Sequence, residues 1–225
     1  MRFGSPQIVT DGLVLYLDAA NPSSYPGTGT TWTDLSGNNN TGTLTNGPSF
    51  NGSNGGSIVF DGSTQYGTVP DFSMGSTLTV DAWVKTSSSS VMEIFCRGTN
   101  GDTSGMLFAF VSGQLYGGGN SGSGWNSSAL YTPTLNDNKW HYVAGVFNQT
   151  VNQIIGYVDG ILGNTVTSTF LLGGYTPTNS RIGRNQNGST QFWNGNISIM
   201  RIYNRLVSTA EILQNYNATK GRFNL

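Results

Sequence analysis

Short runs of β-branched and aromatic residues recur along the chain, each closed by a cluster of Gly, Asn, Asp or Ser. This punctuation predicts strands joined by turns. Nine runs carry the signal, at 13–17, 56–60, 77–84, 91–95, 106–111, 114–116, 140–147, 154–158 and 197–203. In 77–84, Leu78, Val80, Ala82 and Val84 share one face and Thr77, Thr79, Asp81 and Trp83 the other, the period of a half-buried strand. Trp83 is therefore expected to cap the outer surface or line a groove. In 140–147 both alternating sets are largely apolar, which predicts a central strand covered on both sides. Asp159-Gly160, between Tyr157-Val158 and Ile161-Leu162, predicts a type I′ hairpin, whose two central residues need positive φ. Many short strands with little helix between them predict an all-β fold of two antiparallel sheets packed face to face.

One helix is expected, over 208–221. Ser208-Thr209-Ala210-Glu211 has capping-box spacing, Ile212, Leu213 and Tyr216 recur on the face that packs on the sandwich, and Gly221 supplies a stop. The segments 87–90 and 117–124 lie between strand runs of like character and read as loops. The organisation expected is thus a single domain over 1–225, with 1–11 as an N-terminal arm and 208–221 as a C-terminal helix.

Composition narrows the partners. Of 225 residues, 10 are basic and 11 acidic, and only 9% are charged, so solubility rests on neutral polar side chains. The 36% hydrophobic content still provides a core. Without a basic excess, counterion release cannot drive nucleic-acid binding. No stretch approaches the apolar length of a membrane span, and 1–6 carry no apolar signal core, so no membrane partner is expected and export would follow another route, such as release in an assembled particle. Cys96, the single cysteine, falls in a strand run and reads as a buried thiol.

Seven motifs follow in order: Gly12-Leu13-Val14-Leu15-Tyr16-Leu17-Asp18; 32–39, from Trp32 to Asn39; 59–66, with Asp61-Gly62; 78–85, with Trp83; 140–146, with Trp140; Tyr157-Val158-Asp159-Gly160; and Asn194-Gly195-Asn196-Ile197 leading to Arg201-Ile202-Tyr203-Asn204-Arg205. Together they resemble the laminin-G-like, concanavalin A-like jelly-roll domains over nearly the whole chain. The ending 212–223 resembles the tails of jelly-roll proteins of tailed bacteriophages. The resemblance implies a jelly-roll sandwich. It also points to a virion surface protein, a capsid decoration or head-fibre component, in many copies or as a homo-oligomer among other shell proteins, with lectin-like binding of a cell-surface glycan. The alternative is a carbohydrate-binding module or adhesin outside a virion. Many relatives hold calcium, for which Asp34, with Asn38 and Asn39, and Asp18 are the candidates by position. Relatives commonly carry an acidic pair after the Asn-Gly-x-Ile motif, where this chain has Ser198 and Ile199, so no cofactor is expected.

The fold also carries glycoside hydrolases, which need two carboxyl groups about 5–9.5 Å apart. The only glutamates are Glu93, alone in an apolar run, and Glu211, so no catalytic residues are assigned. His141 is the sole histidine and reads as structural, and no phosphate-binding glycine loop is present. A sugar site needs an aromatic platform flanked by hydrogen-bonding side chains. Trp125, Tyr131, Asn100, Asp102 and Trp193 are the candidate glycan-binding residues, Trp125 foremost because its polar segment, expected to be a loop, gives it no other task.

Overall fold

In the computed structural model, residues 7–72, 75–98, 104–121, 124–172, 180–186 and 190–225 are described. Their strands are β1 (Leu13–Asp18), β2 (Thr31–Trp32), β3 (Gly42–Thr45), β4 (Ser49–Asn51), β5 (Ser57–Asp61), β6 (Tyr66–Val69), β7 (Thr77–Lys85) and β8 (Met92–Arg97). There follow β9 (Ser104–Val111), β10 (Gln114–Ser121), β11 (Trp125–Tyr131), β12 (Trp140–Asn148), β13 (Gln153–Val158), β14 (Ile161–Thr167), β15 (Ser180–Ile182) and β16 (Asn194–Tyr203). One α-helix, α1 (Thr209–Thr219), follows them, and no described helix is long and apolar enough to cross a membrane. Two antiparallel sheets result. Sheet A runs β14-β13-β12-β7-β16-β5-β4, with β1 also paired to β16, and sheet B runs β11-β10-β9-β8-β15-β6-β3-β2. The expected sandwich is present, and β12 lies between β7 and β13 as its doubly apolar pattern predicts.

The inner faces close on one core that includes Leu78, Val80, Ile94, Phe108, Phe147 and Met200. A second core covers the other face of sheet A, beneath α1 and the 3-10 turn Lys220–Phe223. Trp83 belongs here, which corrects the expectation of an outer-surface residue. It is fully buried, stacks on Phe223 at 4.1 Å between centroids, and donates through Nε1 to Thr219 Oγ1 at 2.8 Å. The polar alternation of 77–84 misled because its polar face lies under the helix rather than under water. Asp81 is buried there and accepts from Arg201 Nε at 2.7 Å, Tyr142 Oη at 3.0 Å and Asn215 Nδ2 at 3.2 Å.

The capping box of Ser208 and Glu211 forms as predicted. Ile212 and Tyr216 pack on sheet A as expected, Tyr216 stacking on Trp83, but Leu213 is 45% exposed and Asn215 and Thr219 are buried in its place, because α1 turns its amide and hydroxyl toward Asp81 and Trp83. Gly221 does not stop the helix; the chain continues as the 3-10 turn and reverses at Asn224, φ 60°. Within 1–11, the described residues dock on this helix, where Val9 N donates to Asn215 Oδ1 at 2.8 Å.

The Asp159-Gly160 hairpin forms with φ 52° and 79° at its centre. His141 braces it, with Nδ1 2.9 Å from Asp159 Oδ2 and Nε2 3.2 Å from Asp137 Oδ1. Burial lowers the imidazole pKa, but the bonds and charges of Asp159 and then Asp137 outweigh it and raise the pKa above the ordinary value. The stability gained is therefore full below about pH 6.5 and disappears as pH rises through the folded-state pKa. NMR titration is expected to place that midpoint above 6.5, and His141→Gln to remove this part of the pH dependence of urea unfolding.

Candidate functional site

The outer face of sheet A is partly covered by α1 and the chain after it, so the broader strand face left for a ligand is the outer one of sheet B. Its composition follows from alternation along β9: Met106, Phe108 and Phe110 enter the core, which turns Leu107, Ala109 and Val111 outward. On β8, Met92 and Ile94 point inward and Glu93 outward. Between β9 and β11 runs β10, in which Gly117, Gly118 and Gly119 are paired on both sides. This corrects the loop reading of 117–124 for 117–121, which belong to β10; 122 and 123 lie outside the described residues. A side chain at Gly118 would place its Cβ 1.9 Å from Asn126 O, so the run is a strand that lacks side chains because a neighbouring backbone occupies their space.

A pocket of about 300 Å³ opens on this face. Leu107, Ala109 and Val111 line it from β9, Glu93 from β8, and Trp125 and Ser127 from β11. Asn185, Gln186, Thr190 and Gln191 line it from the chain between β15 and β16. That wall is anchored. Gln191, at φ 60°, accepts from Glu93 N through its carbonyl at 3.0 Å and from Asn185 Nδ2 through Oε1 at 3.0 Å, and Asn185 Nδ2 also reaches Thr190 Oγ1 at 3.0 Å. Cys96 is buried, as its strand setting implies, and its thiol donates to Gln186 Oε1 at 2.8 Å. Burial first, then the nearby Glu93, pushes its pKa up, so it is a packed thiol rather than a nucleophile.

Trp125 is the first residue of β11, not part of a loop, and is partly exposed. Its ring reaches back over the sheet to β9, where a Cβ on Gly105 would lie 2.7 Å from its Cη2. The platform is thus a side chain laid on the pleated surface beside the apolar floor.

The other expected residues are dispersed. Tyr131 packs against the inter-sheet core and does not line the pocket. Trp193, expected at the ligand surface, is 0% exposed and sits edge-on to Phe110 with centroids 5.3 Å apart; it supports the wall from below. Asn100 and Asp102 lie outside the described residues. Sequence reasoning missed Glu93, Leu107, Ala109 and Gln191 as lining residues. The alternation in 106–111 and the single acid in an apolar run were the available signals.

A second pocket of about 300 Å³, on the outer face of sheet A, is lined by Val146, Ile155, Tyr157, Leu206 and their neighbours. Its Tyr157 hydroxyl is already engaged with Thr209 Oγ1 at 2.9 Å, and no acid or base lines it.

The carboxylates considered for calcium hold the fold together. Asp34 accepts from Tyr16 N, Ser36 N, Ser36 Oγ and Asn40 N at 2.7–2.9 Å. Asp18 accepts from Ala20 N, from Tyr16 Oη and from Arg222 Nη1. These oxygens face hydrogen-bond donors, which do not fit a cation, and no group of three or more His, Cys, Asp or Glu able to hold a metal occurs among the described residues.

Comparison with known proteins bears on the fold. No curated protein matches. Among solved structures, domain 4 of AbnA, an extracellular arabinanase from Geobacillus stearothermophilus in complex with arabinotriose, superposes with a TM-score of 0.69 at 17% identity, covering 91% of this chain and 98% of that one. A botulinum neurotoxin type C structure, described with cell entry dependent on two ganglioside molecules, gives 0.72 at 16% identity over 93% of this chain and 52% of that one. The binding domain of Paraclostridial Mosquitocidal Protein 1 gives 0.68 at 16% identity, over 93% and 52%. The chain therefore spans about half the length of the toxin structures, and at these identities the likeness establishes the fold. The profile of the concanavalin A-like lectin/glucanases superfamily, Laminin_G_3, matches residues 61–213, more than half of the sequence, and the chain belongs to that family.

Proposed function

We propose that this chain is a non-catalytic, lectin-like module that binds a saccharide in the sheet B pocket. The observation that carries the reading is Trp125 lying beside an apolar floor and facing an amide-rich wall, an arrangement suited to a sugar's apolar face and its ring of hydroxyls. The solved relatives support it, since one holds arabinotriose and another is described with gangliosides. Glu93 is the one acid among the described lining residues, and Glu211 belongs to α1 over sheet A, held by Arg205 at 2.7 Å. This arrangement supplies no carboxyl pair for glycoside hydrolysis. No calcium enters the reading.

Calorimetric titration with arabinotriose and a panel of neutral oligosaccharides tests the proposal. Trp125→Ala is expected to weaken binding at least about tenfold, equivalent to about 1.4 kcal/mol, with thermal stability little changed because the ring is partly exposed. Unchanged affinity in that variant, or no binding by the wild type, would contradict it.

The setting we propose is a virion surface, where neighbouring shell proteins hold the domain and the pocket faces outward. Its support is the likeness of 212–223 to phage jelly-roll tails, although Phe223 and Tyr216 also have a structural task over Trp83. Quantitative mass spectrometry of purified particles decides it. Hundreds of copies would mark a shell decoration, and absence would leave the adhesin alternative.

A further inference from the structure

Glu93 has a property that sugar binding alone does not require. It is 3% exposed, its Oε2 has no hydrogen-bond partner, and it lines the pocket. The groups around it offer no counter-charge at the pocket wall. β9 presents Leu107 and Ala109, β11 presents Trp125 and Ser127, and Asn185, Gln186, Thr190 and Gln191 present amides and a hydroxyl. Arg181 of β15 pairs in register with Cys96, and Arg184 lies over the Tyr66 ring at 3.9 Å; neither lines the pocket. Burial accordingly pushes the Glu93 pKa up to about 8. A carboxyl that keeps its proton has an O–H to donate, and because Oε2 is shielded and unpartnered while the residue lines the pocket, a turn of the carboxyl presents that O–H to a ligand without breaking a hydrogen bond at Oε2.

We propose that Glu93 is the specificity-determining group of this pocket: its un-ionised carboxyl donates a hydrogen bond to an oxygen of a neutral saccharide, and the pocket turns away saccharides that carry a carboxylate. This rests on the reading of the pocket as a saccharide site. An acidic sugar would bring a second carboxyl beside Glu93 where no lining cation offsets its charge, and burying an unpaired charge is costly. A neutral sugar leaves no such charge and offers an oxygen to accept the carboxyl proton. The chemistry also sets a direction with pH. The bound form needs the proton, so affinity holds below the Glu93 midpoint and falls with its ionisation above it.

The full chain and Glu93→Gln are titrated with neutral oligosaccharides, arabinotriose among them, and with 3′-sialyllactose, from acid to alkaline pH. For the wild type, neutral sugars are expected to bind with affinity dropping about tenfold by one pH unit above the midpoint near 8, and sialyllactose to bind at least about tenfold more weakly. Glu93→Gln keeps size and a donor but cannot ionise, so its affinity for neutral sugars is expected to lose the alkaline fall and stay level across the pH range. Its fold is expected to hold. The unfolded chain ionises Glu93 from about pH 4.5 while the folded chain keeps the proton to about 8, so wild type loses stability across that window and the variant does not. Sialyllactose binding as tightly as neutral sugars, loss of binding in Glu93→Gln, or an unchanged pH profile in that variant would overturn this inference and leave the saccharide site standing. No binding of any sugar by wild type would overturn both. Carbon-13 NMR of the Glu93 carboxyl without ligand gives an independent check, since a midpoint in the ordinary range near 4.5 would refute the un-ionised state directly.

Discussion

Asp81→Ala is expected to cost about 3–5 kcal/mol and to lower the melting temperature by about 10 °C, because it leaves the fully buried Arg201 guanidinium without its carboxylate. Burial works against the Arg201 charge, yet Asp81, with Tyr203 and Tyr142, holds its pKa above the ordinary value. Arg201 Nη1 and Nη2 already lack partners, so nothing nearby can substitute for the lost carboxylate. The damage is expected to spread. Asp81 Oδ2 also holds Asn215, which receives Val9 N and donates to Tyr203 Oη, so the residue ties α1 and the N-terminal arm to sheet A. Replacing both ends of the pair, Asp81→Leu with Arg201→Met, is expected to recover only part of the loss, since it removes the unpaired charge but leaves Tyr142 Oη and Asn215 Nδ2 without the acceptor Asp81 supplied. Urea unfolding checks both. A cost below about 1 kcal/mol for Asp81→Ala would contradict this account of the second core.

Gly118→Ala is expected to cost about 3 kcal/mol and to abolish saccharide binding together. Its Cβ would fall 1.9 Å from Asn126 O and 2.6 Å from Ser127 Cα, and both obstacles are backbone, which cannot rotate away. Relief requires β11 to move from β10. Because β11 carries Trp125 and Ser127, the pocket opens as the strand shifts. Gly221→Ala, at a position with nothing within 4 Å, is the control and is expected to leave binding and melting temperature unchanged. Full affinity in a folded Gly118→Ala protein would contradict the close approach of the two strands.

The sandwich, the central strand β12, the hairpin at Asp159-Gly160 and the capped helix were legible in the sequence because each depends on local rules: alternation, positive-φ turn residues and capping spacing. Trp83, Asp81 and Asn215 were not legible as core residues. Their polar neighbours signal a wet face, and only the return of the C-terminal helix over sheet A makes it dry. The glycines of β10 defeated the strand rule for a similar reason, since their small size answers to a neighbouring strand far less visible in the sequence than their own composition. At the site, Trp125 emerged from its polar surroundings, while Trp193, beside Phe192, turned inward against Phe110. Glu93 was visible as a lone acid in an apolar run, yet its meaning needed the pocket wall to which Asn185, Gln186, Thr190 and Gln191 contribute.

The central claim, that saccharide binds on the outer face of sheet B beside Trp125, is tested most directly by the indole N–H signals of the five tryptophans during titration with a neutral oligosaccharide. Trp32, Trp83 and Trp193 are 0% exposed and Trp140 is 9% exposed, so Trp125 is the tryptophan open to a ligand. The account predicts a saturating shift of the Trp125 signal, with a Kd of about 1 mM or tighter, while the other four stay in place. A shift confined to Trp140 beside the second core, or no shift at any of the five, would contradict it.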